Sequence, residues 1–335
     1  MISREELEEL LMTTDQELIE GTVPAGESDS GKYYGKEIYL RGLIEFTNYC
    51  KNNCYYCGIR CGNEKAQRYR LTVDQILSCC ESGWELGFRT FVLQGGEDPY
   101  YTDERICTIT KEIKKRYPDC AVTLSIGEKE RASYQAYFDA GADRYLLRHE
   151  TADEVHYQKL HPSQMSLAHR KECLRELKEI GYQTGCGFMV GSPGQTLDTY
   201  MRIWFLSKNS NRRWWESDRL FPIRIPHLSE EKAGNAGRYL TASGNHPADS
   251  SDGTVAIHHC TRNDPSDGKR KGYSGRSNVV MPNLSPIQVR DKYQLYDNKI
   301  CTGEEAAECR GCLERRIAAI GYQCVTDRGD SAMCR

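Results

Sequence analysis

Arg41-Gly-Leu-Ile-Glu-Phe-Thr-Asn-Tyr-Cys50-Lys-Asn-Asn-Cys54-Tyr-Tyr-Cys57-Gly-Ile-Arg60 decides how the rest of the chain is read. Residues 38–46 form a run rich in aliphatic and aromatic side chains, the composition of a strand. Three cysteines follow at once, spaced by three and then two residues. Thiolates so placed on one short loop can hold three irons of a [4Fe–4S] cube and leave the fourth iron open. The competing reading is a structural zinc site closed by Cys61 as a fourth thiolate. Zinc knuckles usually pair two C-x2-C units, and none is paired here, so the spacing favours the cluster.

Further apolar runs read as strands at 90–94, 121–125, 144–150 and 183–190, with helical periods at 72–86, 102–117, 129–140 and 166–180. Five βα repeats with short loops predict an α/β fold, a TIM-type (βα) barrel over residues 36–200. No G-x-G-x-x-G follows the first strand, which argues against an open doubly wound sheet. Residues 1–35 read as an N-terminal helical extension, capped at Ser3 and followed by a Gly/Ser/Asp-rich loop at 21–31. Residues 278–335 carry the last barrel strand and a cysteine-containing C-terminal segment. Between them, residues 201–277 show neither period, so the sixth and seventh strands are in doubt there.

A net charge of −3 spread along 335 residues gives no footprint for nucleic acid or an anionic membrane. No window approaches the ~18 apolar residues of a membrane helix, and the N-terminus lacks a signal-peptide pattern, so a cytoplasmic protein is expected. Sixteen cysteines in that setting point to metal ligands, not a disulfide framework.

Several segments fall where a barrel places its active site, at the C-terminal ends of strands. In Leu93-Gln-Gly-Gly-Glu-Asp-Pro99, Gly95 and Gly96 let backbone amides approach a ligand and Glu97 can accept from an ammonium group. Period two puts Leu146, Arg148 and Glu150 on one strand face, as cavity groups or as a mutual ion pair. Thr123 and Ser125 likewise share a face. Residues 185–194, G-C-G-F-M-V-G-S-P-G, are small enough to admit a bulky ligand or to allow close packing. Arg170 at the next helix start reads, by itself, as a solvated charge. Cys301, Cys309 and Cys312 make a second three-thiolate set. His149, His156, His161 and His169 share no metal spacing and read as ordinary polar residues.

C-x3-C-x2-C after the first strand and Gly-Gly-Glu after the second resemble the radical S-adenosylmethionine (SAM) superfamily. More narrowly, residues 41–60, V-L-Q-G-G-E-D-P-Y-Y, A-D-R-Y-L-L-R-H-E-T-A and M-V-G-S-P-G-Q-T resemble the E-type maturases of [FeFe]-hydrogenase, over residues 37–198 and 278–322. The resemblance implies that Cys50, Cys54 and Cys57 hold a [4Fe–4S] cluster whose open iron binds SAM, which is cleaved to methionine and a 5′-deoxyadenosyl radical. It places the SAM amino end at Gly95, Gly96 and Glu97, and the nucleoside and carboxylate near Ser125, Glu150 and Arg170, with Arg148 and Tyr293 in the same cavity. Cys301, Cys309 and Cys312 match an auxiliary cluster site of some members. Implied partners are an iron carbonyl–cyanide–cysteine complex from the G-type maturase and an electron donor such as ferredoxin or flavodoxin. A biotin-synthase-like enzyme acting on an organic substrate, or an iron–sulfur carrier that never cleaves SAM, are the other readings.

Residues 201–277 depart from the family and read as translated out of frame. Codons for residues 217–228, regrouped by one base, can spell I-G-P-F-I-P-D-P-D-T-P-F, which resembles the family's sixth strand and its loop. Those for 257–277 can spell S-T-T-A-L-G-T-I-P-P-M-G-S-E-R-D-I-Q-A-G-A, after which Asn278 continues in register. Residues 21–31 give a helix-like L-Y-R-R-A-K-A-I-R-V at another offset. Compensating shifts near Tyr200 and Ser277 account for both the lost periodicity and the family-like end; a diverged insertion is the other reading. Resequencing the gene is expected to show those shifts. Clean reads with an unbroken frame, together with expressed protein of this sequence, would contradict them.

Overall fold

A computed structural model describes residues 34–210, 214–219, 254–257, 278–295 and 306–330. The helix expected from Ser3, the loop at 21–31 and Cys301 lie outside them. The strands are β1 (Glu37–Leu40), β2 (Gly42–Thr47), β3 (Thr90–Gly95), β4 (Ala121–Ser125), β5 (Arg144–Leu146), β6 (Gln183–Val190), β7 (Trp214–Arg219), β8 (Thr254–Ile257), β9 (Val279–Val280) and β10 (Gln323–Val325). All pair in parallel, and β2 to β9 follow one another in sequence order.

The expected first strand is broken at Arg41 into β1 and β2. β2 pairs with β3 while β1 pairs with β9, so this bent strand closes the ring. The seam continues in Arg41 N to Val280 O (2.9 Å) and Leu43 N to Pro282 O (2.8 Å). β10 adds to the lower end of β1, where β2 has already left for its own neighbour. β7 and β8 fill the sixth and seventh positions that the sequence left in doubt. Ladder hydrogen bonds come from the backbone and need no alternating side-chain pattern, so the missing period did not exclude strands there.

Helices α1 (Val73–Glu85), α2 (Asp103–Arg116), α3 (Arg131–Asp139), α4 (Glu154–Leu160), α5 (Leu167–Ile180) and α6 (Leu197–Ser210) form the crossovers, followed by α7 (Ile287–Arg290) and α8 (Ala306–Ala318). α1 starts at a capping box: Thr72 Oγ1 accepts from Gln75 N and Gln75 Oε1 accepts from Thr72 N. Its face with Ile76, Leu77 and Cys80 packs on Phe46, Phe91 and Val122 in the main core. α4 was not anticipated; it is one short run begun by Asp153 accepting from His156 N (2.8 Å). α5 ends at Gly181, whose φ of 115° lies in the left-handed region that favours glycine.

Strand alternation then divides inside from outside. Ile44, Phe46, Leu93 and Leu124 face the helices, so Leu43, Val92 and Leu146 face inward, joined by Tyr39, Val279 and Met281 in a separate apolar layer. Above that layer the same strand faces carry Glu45, Gln94, Ser125 and Gly187, leaving a chamber walled by polar and small side chains.

Below it, residues 327–330 cross the lower end of the barrel. Arg144, 1% exposed, donates to Asp330 Oδ1 (2.6 Å), Arg328 O (2.8 Å) and Thr90 Oγ1 (2.9 Å). Arg41 reaches Gly329 O, and Gln183 shares Asp330. Burial opposes charge on Asp330, but Arg144, the Gln183 amide and Arg328 outweigh it and hold the carboxyl below its ordinary range. Its contribution to stability is therefore complete above the usual value of 3.8 and lost as the pH falls through the lower folded value. Asp330→Ala leaves Arg144 buried without its carboxylate and is expected to cost about 3 kcal/mol, read as a lowered midpoint in chemical denaturation at pH 7. No change in midpoint would contradict this account of the closure.

Candidate active site

The cysteine loop leaves β2 at the upper end of the barrel, and two segments frame it. Arg68 donates to the carbonyls of Asn48 (2.5 Å), Ile59 (2.8 Å), Arg60 (2.7 Å) and Asn63 (3.2 Å), tying both ends of the loop to one guanidinium. Asn48 accepts from Tyr69 N and donates to the carbonyls of Gln67 and Lys292. At Gly58 a Cβ would fall 1.9 Å from Gln294 O, so only glycine allows that close approach.

Cys50, Cys54 and Cys57 are half-buried. Burial pushes all three thiols up, Cys54 well above the ordinary value and Cys57 to about 12, with the neighbouring thiols adding to the effect. They are therefore neutral until something cationic displaces their protons. Among the described residues, no three Cys, His, Asp or Glu converge as a single metal ion requires. Cys61, the fourth thiolate of the zinc reading, is exposed on the following turn. The donor set of Cys50, Cys54 and Cys57 suits a larger iron–sulfur core.

β3 brings its glycines directly against this loop. A Cβ on Gly96 would lie 2.2 Å from Tyr49 O and 2.6 Å from the Cys50 Cβ. Glu97, 6% exposed, accepts from Asn52 Nδ2 (2.8 Å) and Glu128 N (3.0 Å), and pairs with Lys51 (3.2 Å). Lys51 N also donates to Glu97 O (2.9 Å). Gly127, at φ 77°, makes room for the Glu97 side chain, since a Cβ there would lie 2.2 Å from Glu97 Cγ.

The fourth-strand segment departs from its expected shape. Regular β structure stops at Leu146, and His149 N and Glu150 N both donate to Gly187 O. Glu150 takes φ 64°, the only non-glycine with positive φ among the described residues; such strain costs about 1–3 kcal/mol and gathers at functional sites. Arg148 and Glu150 form the mutual ion pair (3.1 Å). Arg170 is not a surface charge: it is 7% exposed, pairs with Glu128 (2.5 Å) and donates to the Arg148 carbonyl.

Ser125 ends β4 half-buried, in register with Gln94. Gln94 donates to the Tyr293 hydroxyl (3.3 Å), which brings Tyr293 to the chamber wall. On the same face as Ser125 but level with Val92, Thr123 Oγ1 is buried with no hydrogen-bond partner among the described residues. The C-terminal cysteine set is mostly out of view: Cys301 and the side chain of Cys309 lie outside the described residues, and Cys312 is half-buried on α8.

Residues not anticipated from the sequence complete the site. The Tyr56 hydroxyl lies 3.3 Å from His161 Nε2 and 3.5 Å from Glu150 Oε1. His161 Nδ1 is 3.0 Å from Tyr157 O, so the neutral ring donates there and accepts from Tyr56 through Nε2. Burial, with Arg170 nearby, lowers the His161 pKa to about 3, which keeps that tautomer at neutral pH. Met165 Sδ sits 3.9 Å from Cys54 Sγ. An aromatic residue between Cys54 and Cys57 was the one visible signal for Tyr56; His161 had none.

Among the described residues no helix is long and apolar enough to cross a membrane. The radical SAM superfamily profile matches residues 44–203. The [FeFe] hydrogenase maturase subunit HydE of Thermotoga maritima is 39% identical over 341 residues, covering 98% of this chain and 93% of that protein. Among solved structures, methylornithine synthase (PylB) superposes with a TM-score of 0.81 at 22% identity, covering 97% of this chain and 94% of that one. HydG, a maturase of the [FeFe]-hydrogenase, does so at 0.76 and 18%, covering 97% and 72%. At those identities the two structures speak for the fold alone. With a relative of this identity aligned along nearly the whole length of both proteins, the chain belongs to the radical SAM superfamily, in the branch of HydE.

Proposed function

We propose that this protein is a radical SAM enzyme of [FeFe]-hydrogenase maturation, in which Cys50, Cys54 and Cys57 hold a [4Fe–4S] cluster and the Gly95–Glu97 segment receives SAM. The observation that carries this reading is the direct apposition of Gly96 to Cys50, with three half-buried thiols on one side and a buried carboxylate on the other. When bound, the cluster supplies one electron for reductive cleavage of the SAM sulfonium C–S bond.

The chain's own groups bind and orient. Glu97 accepts from an N–H of the SAM amino group in place of its exposed partner Lys51, whose side chain is 58% exposed and easily displaced. Arg170, held by Glu128, and Glu150, held by Arg148, define the wall on which the nucleoside and carboxylate lie. Ser125 and Tyr293 line the chamber beneath, and the apolar layer around Leu43, Val92 and Met281 shuts it from below. Water is thereby kept from a reactive carbon radical.

The substrate proposed for that chamber is an iron carbonyl–cyanide–cysteine complex delivered by the G-type maturase, with the product contributing to the diiron subcluster of hydrogenase. Ferredoxin or flavodoxin would supply the electron, and Cys301, Cys309 and Cys312 would hold a second cluster. If residues 201–277 are out of frame in the organism itself, the chamber loses the natural side chains of its sixth and seventh strands and activity should be lost.

Anaerobic reconstitution, followed by SAM and dithionite, is expected to yield 5′-deoxyadenosine, and Cys50→Ser, Cys54→Ser and Cys57→Ser to yield none. With the reading frame of residues 201–277 restored, a filled, reducible cluster that forms no 5′-deoxyadenosine would overturn the enzyme reading and leave an iron–sulfur carrier.

A further inference from the structure

One ion pair beside the cysteine loop, a buried carboxylate met by an exposed arginine, is not used by the reaction as read above. Asp98 is 3% exposed, and both its oxygens are engaged. Oδ2 accepts from Arg70 Nε (2.7 Å) and Thr47 Oγ1 (2.7 Å), and Oδ1 from Arg70 Nη2 (2.9 Å) and Tyr100 N (3.0 Å). A carboxylate that accepts four hydrogen bonds has little capacity left for a ligand or a proton. It can act only by holding its neighbours in place.

Those neighbours are the two halves of the proposed SAM site. Asp98 follows Glu97, so its position sets the end of the Gly95–Glu97 segment. Thr47 ends β2, and its hydroxyl accepts from Tyr49 N (3.2 Å) while its carbonyl accepts from Gly96 N (3.4 Å). The Arg70 guanidinium lies 3.8 Å from the centre of the Tyr49 ring and 4.7 Å from that of Tyr100. Tyr49 immediately precedes Cys50, and Tyr100 lies three residues after Glu97. A single bidentate pair thus grips both loops, and Arg is the one side chain that can fork to a carboxylate and stack on rings together.

We propose that Asp98 and Arg70 form a latch that sets the gap between the cysteine loop and the Gly95–Glu97 segment, and thereby the affinity for SAM, as positioning residues that touch neither cluster nor SAM. The proposal rests on the reading that this segment receives SAM. Cluster loading does not depend on the latch, because the cysteine loop is separately tied by Arg68 and Asn48.

The test compares the cluster-loaded wild type with Asp98→Asn, Arg70→Met, Arg70→Lys and Thr47→Val. Iron content, anaerobic SAM titration and the electron paramagnetic resonance signal of the reduced cluster with and without SAM are measured for each. Asp98→Asn turns one acceptor into a donor facing Arg70, and Arg70→Met removes the fork and the charge; each is expected to raise the SAM Kd about tenfold at unchanged iron content. The SAM-free resonance signal should match the wild type. Arg70→Lys keeps the charge but not the fork and should fall between; Thr47→Val, a mild change that keeps the fold if the others do not, should shift Kd in the same direction. Equal Kd values across the set, or iron loss parallel to the loss of SAM binding, would overturn the latch. If the loaded wild type itself takes up no SAM, the reading of the site fails first, and the two failures are told apart.

Discussion

The contact between Gly96 and Cys50 is the constraint on which the upper end of the barrel depends. At 2.6 Å from the Cys50 Cβ to where a Gly96 Cβ would stand, no side chain fits, so the loop after β2 and the loop after β3 must meet backbone to side chain. Every other feature of the site answers that closeness. Gly127 clears space for Glu97, Asn52 and Glu128 N hold the Glu97 carboxylate, and Asp98 and Arg70 bind both loops. A barrel supplies the scaffold because parallel strands end together and present consecutive loops side by side.

Beneath the loops, the interior is graded. Polar and small residues line a chamber, an apolar layer with Leu43, Val92, Leu146 and Met281 underlies it, and an arginine–aspartate network with the chain's C-terminal segment closes the bottom. Buried charges are costly unless paired, which explains why Arg144 is met by Asp330, Thr90 and a backbone carbonyl at once. The same logic applies at the top, where Arg170 is matched by Glu128 and Arg148 by Glu150. Arginine is thus stationed at both ends of the barrel, with distant partners for Arg144 and Arg170 and a partner two residues on for Arg148.

Much of this was legible in the sequence, for identifiable reasons. Buried parallel strands such as Thr90–Gly95 and Ala121–Ser125 are apolar runs, and helices such as Val73–Glu85 carry caps and a stripe, so both announce themselves locally. The cysteine spacing and the double glycine were visible because close backbone approach and metal ligation demand particular residue types at fixed intervals. What stayed hidden depends on distant pairing. Arg170 looked like a surface charge because Glu128 lies in another loop, and the fourth strand looked longer because nothing local signals that Glu150 will adopt a positive φ. The break at Arg41, where one strand serves two neighbours, follows from closure of the ring and not from the residue itself. The pairing of β7 and β8 escaped a reading that relied on side-chain period.

The central claim is that three protein thiolates hold the cluster and leave one iron for SAM. Electron–nuclear double resonance on the reduced protein, with nitrogen-15 in the amino group of SAM, tests it most directly. The account predicts a nitrogen hyperfine coupling that appears only when SAM is added, reporting the amino group on the open iron beside Gly95–Glu97. A cluster with cysteine on all four irons, Cys61 included, and no coupling from labelled SAM would contradict it.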